Sequence, residues 1–384
     1  MNILYLSPYP IVPSDGGVER VTDVLAKEFL SRGHQVVFMC YKKRDRLDYG
    51  EFAAPQYYIE FDANTKITIN NIITTHAIEF VINQCISVES ASILKFLPND
   101  IKVISVCHTK PYNFDENNRR RVWVTPAVGV RKKIQKLFKL IYPHLGAINN
   151  NRIETLGFKE CIPLSQKVCF ISDKFYSRVL KHIPNAPMEK FTAINNPNTI
   201  EPSGNFSDRK NVLLFVGRIS NIQKNVPDFI RIWDILYRNN PAWEAKIVGA
   251  GEDLEWNIRL ANKLGVKRLS FEGYRQDIQK YYRTSRIVLV TSFGESWCLV
   301  LTEAMANGCI PAAFMTYESL TDIIDDGVNG IVTKPDVKEM ALRIQAFIND
   351  PSRQAVMEQA ARSKSKQFSV SRIANQWEDM LRSL

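Results

Sequence analysis

The apolar and polar positions of this chain form two successive alternations of short hydrophobic runs and amphipathic stretches. Asn2 to Ser7 is an apolar run that predicts a strand. A loop with Pro8, Pro10 and Pro13 leads from it through Gly16-Gly17 into a helix from Val18 to Arg32, which Gly33 ends. Gln35 to Cys40, Ala77 to Val81, Val103 to Cys107 and Val168 to Ser172 are further strand candidates. From Asn195-Asn196-Pro197-Asn198 through Arg209 the chain turns rich in Asn, Pro, Ser and Gly, which reads as a linker, and then the pattern restarts. Val212 to Val216, Glu244 to Val248, Leu269 to Phe271, Ile287 to Val290 and Ile310 to Ala313 predict strands, with helices over Val226 to Tyr237 and Leu254 to Leu264. Alternating strands and helices predict an α/β protein of two Rossmann-like parallel sheets, one domain over residues 1–197 and one over 198–369. Val370 to Leu384 predicts a last amphipathic helix with Ile373, Trp377, Met380 and Leu381 on one side.

Composition agrees with two ordinary domains: 384 residues, 45% apolar and 23% charged, suffice for two full cores. No apolar run approaches ~18 residues and MNILYLSPYP lacks a basic leader, so a cytoplasmic protein is expected. The seven cysteines are scattered, mostly in apolar strings and never spaced C-x-x-C, which reads as reduced core residues. Charge adds something new. Residues 1–195 hold 26 Lys/Arg against 18 Asp/Glu, and the remainder 24 against 22. Much of the excess is Arg119, Arg120, Arg121, Arg131, Lys132, Lys133, Lys136 and Lys139, in a stretch without an acidic residue. From Val130 to Tyr142 the apolar Val130, Ile134, Leu137, Phe138 and Ile141 recur at helical spacing among those basic residues. Two readings stay open there: a helix lying on an anionic membrane, or one packed on the core with a solvated basic face. No RNA motif accompanies the charge, and no nucleic-acid partner is expected.

The chemistry concentrates in Thr291 to Gly308, TSFGESWCLVLTEAMANG. A buried strand precedes it, Cys298 to Asn307 predicts a helix with Gly308 at its C′ position, and Glu295 and Glu303 flank the helix start. At about 1.5 Å per residue the two carboxylates would stand roughly 12 Å apart, the reach from sugar to ribose in a nucleotide sugar. A helix N-terminus between them suits a diphosphate. Taken alone, the pair reads rather as a helix-dipole partner, Glu295, and a solvated helix residue, Glu303.

Further motifs occur in order: Asp15-Gly16-Gly17-Val18-Glu19-Arg20, Phe215-Val216-Gly217-Arg218 with Lys224-Asn225, Ile247-Val248-Gly249-Ala250-Gly251-Glu252, Phe271-Glu272-Gly273-Tyr274 and Asp326-Gly327-Val328-Asn329-Gly330. With Glu295-x7-Glu303 they resemble the retaining nucleotide-sugar glycosyltransferases of family 4, a group 1 family with the GT-B fold, over nearly the whole chain. The resemblance implies two Rossmann-like domains facing across a cleft, a C-terminal helix (370–384) crossing back to the first, an acceptor-binding N-terminal domain and a donor-binding C-terminal one. It implies transfer of a hexose from a nucleotide diphosphate sugar to a glycan or lipid-linked glycan acceptor in surface polysaccharide synthesis, at the inner face of the membrane. Uridine is favoured as the base.

By the same resemblance Glu295, Arg218, Lys224 and His108 are the catalytic group. Glu295 would hold sugar hydroxyls, Arg218 and Lys224 the diphosphate, and Glu303 the ribose. Gly16, Gly17, Gly217, Gly249 and Gly251 would let backbone approach the donor, Tyr274 and Arg275 would line the base pocket, and Ser296, Trp297, Cys298, Leu299 and Val300 would complete the donor loop. Cys298 stands where the family has glycine. Without an Asp-x-Asp motif, no metal or other cofactor is expected, and the basic pair would do the cation's work. A hydrolysing nucleotide-sugar epimerase and a non-catalytic sugar-nucleotide-binding or membrane-tethering subunit are the alternatives. The Gly249-x-Gly251 turn lacks the third glycine of a dinucleotide fingerprint, which argues against a nicotinamide dehydrogenase.

Overall fold

The structure, a computed structural model, describes residues 1–43, 54–113, 129–131, 134, 137, 143–202 and 209–384. The chain folds as two compact units, the first comprising Met1–Asp115, His144–Thr199 and Val370–Leu384, the second containing Ile200–Ser369.

The N-terminal unit carries strands β1 (Asn2–Ser7), β2 (Gln35–Cys40), β3 (Gln56–Tyr58), β4 (Phe80–Asn83), β5 (Lys102–Cys107), β6 (Lys167–Phe170) and β7 (Phe191–Ala193). Its helices are α1 (Gly17–Ser31), α2 (Thr65–Thr75), α3 (Val88–Leu94), α4 (Pro143–Leu164) and α5 (Tyr176–His182). All pairings are parallel, in the order β3-β2-β1-β4-β5-β6-β7. A parallel strand needs a crossover, and the crossovers bury both faces of the sheet. That is why β1, β2 and β5 are near-continuous apolar runs rather than alternating ones. Ser87 and Ser90 form a capping box that starts α3.

The C-terminal unit repeats the plan with β8 (Val212–Val216), α6 (Val226–Leu236), β9 (Glu244–Val248), α7 (Leu254–Leu264), β10 (Leu269–Gly273), α8 (Ile278–Thr284), β11 (Ile287–Val290), α9 (Leu299–Ala306), β12 (Ile310–Phe314), α10 (Leu320–Ile323), β13 (Ile331–Thr333), α11 (Val337–Ile348) and α12 (Pro351–Ser365). Its parallel sheet runs β10-β9-β8-β11-β12-β13, the Rossmann order. Trp233, Phe229, Phe314 and Phe347 anchor its core.

The last helix, α13 (Val370–Arg382), belongs to the N-terminal unit, where it packs on α1. Ile373, Trp377 and Leu381 are buried as the amphipathic pattern requires, while Met380 is half-buried. Glu378 locks the contact: its carboxylate accepts from His34 Nε2 at 2.7 Å, lies 3.4 Å from Arg32 Nη1 and is reached by Arg382 at 3.2 Å.

Two expectations shift. The strand at Ala77 to Val81 starts at Phe80, because Ala77 (φ +46) and the bond from Ile78 N to Ile73 O complete the turn that ends α2. The strand from Val168 stops at Phe170, since Ser172 accepts from Lys174 N and caps a short 3-10 turn. The three-residue strands β3, β7 and β13 are too short to give a periodic signal.

Burial alone would raise the Glu378 carboxyl, but hydrogen bonds from His34 and Arg32 overcome it and hold the pKa below the usual value. A depressed carboxylate stabilises the fold above its unfolded pKa, and that stability is lost as pH falls through the folded one. Glu378→Gln should therefore lower Tm at pH 7, with the gap to the parent closing as pH drops below about 4. Thermal melts at stepped pH check this; a gap constant with pH would overturn the charged lock.

Candidate functional site

Each sheet reverses its winding once, at β1/β4 and at β8/β11, and the loops leaving the carboxyl ends of those strands diverge into a crevice. Gly16, Gly17, His108, Arg218, Lys224, Glu295 and Glu303 lie at these two places.

In the C-terminal unit β8 ends at Val216, and Gly217 (φ +148) turns the chain into an exposed Arg218 and a buried Ile219. Gly217 N donates to Val248 O at 3.0 Å and Ile219 N to Ala250 O at 2.9 Å, so the β8 and β9 loops cross backbone on backbone. A Cβ on Gly249 would lie 1.9 Å from Gly217 O, and one on Gly251 would lie 2.3 Å from Ile219 O. The G-x-G spacing thus has a packing cause of its own, whatever ligand lies above it. Asn221 N donates to Asp253 Oδ2 at 2.7 Å and Asn257 Nδ2 to Asn221 Oδ1 at 2.8 Å, which fixes the loop onward. It ends at Asn225, in left-handed conformation at the N-cap of α6, whose amide donates to Asp228 Oδ2.

Across the reversal, Thr291 Oγ1 lies 3.0 Å from Lys224 O and 2.9 Å from Asn225 O, and Phe293 N donates to Gln223 O. These ties bring Glu295 to Lys224: Nζ to Oε1 is 2.6 Å, with both side chains mostly buried. Burial alone would lower the Lys224 ammonium, but the charge and hydrogen bond of Glu295 raise it, and Arg218's nearby charge opposes them in part. Lys224 and Glu295 are one ion pair in this state.

The donor-loop residues divide. Ser296 O accepts from Ser319 Oγ at 2.6 Å. Trp297 turns inward, edge-on to Phe368 with ring centroids 5.3 Å apart. Cys298 is buried at the N-cap of α9, its thiol pushed up to about 12 by burial, and Leu299 and Val300 open the helix. Since α9 begins only at Leu299, the helical rise applies to only about half of the span from Glu295 to Glu303. Glu303 is buried, not solvated, and accepts from the Tyr282 hydroxyl at 3.1 Å. Tyr274 and Arg275 are exposed beyond β10. Sequence reasoning passed over Tyr282 and Thr291, which only the fold brings to Glu303 and Lys224.

In the N-terminal unit, a cavity of about 290 Å³ opens at the ends of β1, β4 and β5, beside the starts of α1 and the middle of α4. His108 and Gln84 share its wall, with His108 Nε2 at 2.6 Å from Gln84 Oε1. With Oε1 accepting, Nε2 carries the proton, and burial pushes the imidazole pKa down to about 4. Gly16 and Gly17 lead into α1, and the Glu19 carboxylate folds back over Gly16, where a Cβ would meet it at 2.7 Å. Gln84, Glu154 and Phe158, also in the wall, carried no signal in the pattern.

Of the basic segment, Arg131 is exposed, as are the apolar Val130, Ile134 and Leu137 at 75, 62 and 58%. Arg119, Arg120, Arg121, Lys132, Lys133, Lys136 and Lys139 lie outside the described residues. No helix among the described residues is long and apolar enough to cross a membrane.

Gly249→Ala should destabilise by about 3 kcal/mol or more, adding a clash with Gly217 to a strained φ. Gly265→Ala, at φ +66 with open space around it, should cost about 1 to 2 kcal/mol. Urea denaturation of both checks the loop crossing, and equal losses would refute it. His108 should remain neutral from pH 5 to 8, which ¹⁵N NMR of the imidazole would read as a flat, Nε2-protonated signal; a midpoint near 6.5 would contradict the desolvation of its ring.

Comparison with known proteins bears on the fold. Residues 197–364 match the family model of the glycosyl transferases group 1. An uncharacterized glycosyltransferase of Haemophilus influenzae is 29% identical over 192 residues, 49% of this chain and 54% of that one. The lipopolysaccharide 1,6-galactosyltransferase of Salmonella typhimurium is 27% identical over 217 residues, 53% of this chain and 57% of its own. The chain thus spans about half the length of the curated relatives it matches. Among solved structures, Anabaena HepE in complex with UDP and glucose is similar over the full length of both chains, with a TM-score of 0.71 at 18% identity. The chain therefore has the GT-B fold, and residues 197–364 are similar to the group 1 glycosyl transferases.

Proposed function

We propose that the protein is a retaining glycosyltransferase that moves a hexose from a UDP-sugar to a glycan or lipid-linked glycan acceptor in surface polysaccharide synthesis. The observation that carries this is the Lys224–Glu295 pair, set beside Arg218 at the reversal of the sheet whose residues match group 1 glycosyl transferases. UDP in the HepE structure and lipopolysaccharide in the Salmonella relative's name support the donor and the setting.

On this reading Lys224 and Arg218 take the donor diphosphate, and Glu295, released from Lys224, accepts hydroxyls of the transferred sugar. Glu303 exchanges the Tyr282 hydroxyl for the ribose, and Tyr274 and Arg275 border the base. The acceptor oxygen attacks the anomeric carbon on the face the diphosphate leaves. The bond from C1 to the diphosphate oxygen breaks, the new glycosidic bond forms, and the acceptor proton passes to the departing diphosphate. Two fixed cations at the growing charge stabilise the transition state more than the ground state, without a metal. The basic stretch from Arg119 to Lys139, with Val130, Ile134 and Leu137 exposed within it, would hold the protein at an anionic membrane face, each basic residue contributing about 1 kcal/mol near the surface.

Proton NMR of the reaction with UDP-hexoses and a lipid-linked glycan extract should show product with the donor's anomeric configuration. Transfer should persist in chelator. Lys224→Ala should lower kcat by about 10²- to 10³-fold while Tm shows the variant folded. An inverted product, or a donor epimerised without acceptor, would overturn the proposal.

A further inference from the structure

The loop that carries Glu295 is gripped from a second side. Thr291 and Phe293 tie it to the segment that ends at Asn225, and two further ties come from the turn after β12, which leads from Met315 to Ser319. Thr316 Oγ1 donates to Ser292 O at 2.8 Å, and Ser319 Oγ donates to Ser296 O at 2.6 Å. The accepting carbonyls stand three residues before Glu295 and one after it. Ser319 is fully buried and occupies the N-cap of α10, where a serine hydroxyl ordinarily accepts from the helix's own amides; it makes no such bond. Its hydroxyl is committed to the Glu295 loop instead. Between the two ties Tyr317, buried as well, lies beside Cys298 and fills the space under the loop. Thr316, Tyr317 and Ser319 stand outside every motif of the sequence.

A carboxylate that accepts from adjacent hydroxyls of a ring reads their orientation when its own position is held to about 0.5 Å, and a displacement of about 1 Å can cost about 10²-fold. Glu295 lies in a loop, so no strand ladder or helix fixes its backbone. Its position falls to the ties. Thr291, Ser292 and Phe293 anchor the approach, and of these four anchored residues only Ser296 lies beyond Glu295.

We propose that Ser319 and Thr316 are positioning residues for the donor sugar: they set the pose of the Glu295 carboxylate and so decide which hexose stereochemistry is held, while the nucleotide half of the donor binds independently of them. The inference rests on the glycosyltransferase reading for the role of Glu295. Recognition then divides within one unit. Arg218 and Lys224 answer to the diphosphate, and the turn after β12, acting through Glu295, answers to the sugar.

Isothermal titration calorimetry on the full chain tests this with UDP, UDP-glucose, UDP-galactose, UDP-N-acetylglucosamine and UDP-N-acetylgalactosamine, comparing the parent with Ser319→Ala, Ser319→Thr and Thr316→Val, each shown folded by a circular dichroism melt. Ser319→Ala should weaken the best-bound UDP-hexose at least about tenfold, leave UDP within about twofold and narrow the preference among the sugars. Thr316→Val keeps the side chain's shape and removes the donor, so it should act in the same direction, and it carries the test alone if Ser319→Ala does not fold. Ser319→Thr, which keeps the hydroxyl, should stay within about threefold of the parent. UDP and UDP-hexose weakened by one common factor, no weakening of either, or Ser319→Thr as impaired as Ser319→Ala overturns the inference, and the transferase reading stands as long as the parent binds a UDP-hexose. A parent that binds none of them sinks the transferase reading itself, and the inference with it.

Discussion

A parallel sheet that starts from a central strand must at some point reverse its winding, and the structure depends on where it does so. At β1/β4 and β8/β11 successive crossovers leave in opposite directions, so the loops at the strand ends part and leave space that no side chain has to fill. Arg218, Lys224, Glu295 and Glu303 sit on those loops or on the helices they open, while Gly249, Gly251, Tyr274 and Arg275 follow the neighbouring strands β9 and β10. The space is rigid on its floor because the strands beneath are buried on both faces.

A crevice of diverging loops needs something to hold the loops. In the C-terminal unit the fastenings are mostly backbone: the β8 and β9 loops cross at Gly249 and Gly251, and Thr291 ties the β11 loop to Lys224 and Asn225. These contacts leave the side chains of Arg218, Lys224 and Glu295 free of structural duty except toward one another. In the N-terminal unit the fastenings involve side chains, His108 Nε2 with Gln84 Oε1 and Tyr112 N donating to Glu154 Oε2.

The sequence exposed the sheets well and the site unevenly, for physical reasons. Strands such as Gln35–Cys40, Val212–Val216 and Ile287–Val290 are legible because double burial makes them continuous apolar runs. Glu295, Lys224 and Arg218 were legible as motif residues, but their 2.6 Å pairing was not, since 71 positions of chain separate the partners. Between Glu295 and Glu303 a count at helical rise applies only in part, since the chain is loop up to Cys298 and the helix starts at Leu299, one residue after the expected start. Gly249 and Gly251 read as ligand glycines, while the loop crossing supplies a cause that no local pattern encodes. The cavity's composition was hidden in part: Val18, Glu19 and His108 stood in motifs, but Ile11, Gln84, Val106 and Glu154 come from four separate stretches of chain.

The Lys224–Glu295 pair also sets what an incoming donor has to offer. Removing one partner of a buried pair costs about 3 to 5 kcal/mol, and less where solvent still reaches the charges, as it does here. A ligand that draws Lys224 away with its phosphates leaves Glu295 without its cation, unless the same ligand brings hydroxyl donors to it. A nucleotide diphosphate alone satisfies only the lysine, whereas an intact nucleotide sugar satisfies both. On the proposed reading the pair therefore favours the whole donor over the spent nucleotide. Once the sugar has left, Glu295 regains its lysine, and the re-forming pair competes with the diphosphate for the same ammonium and helps to release it.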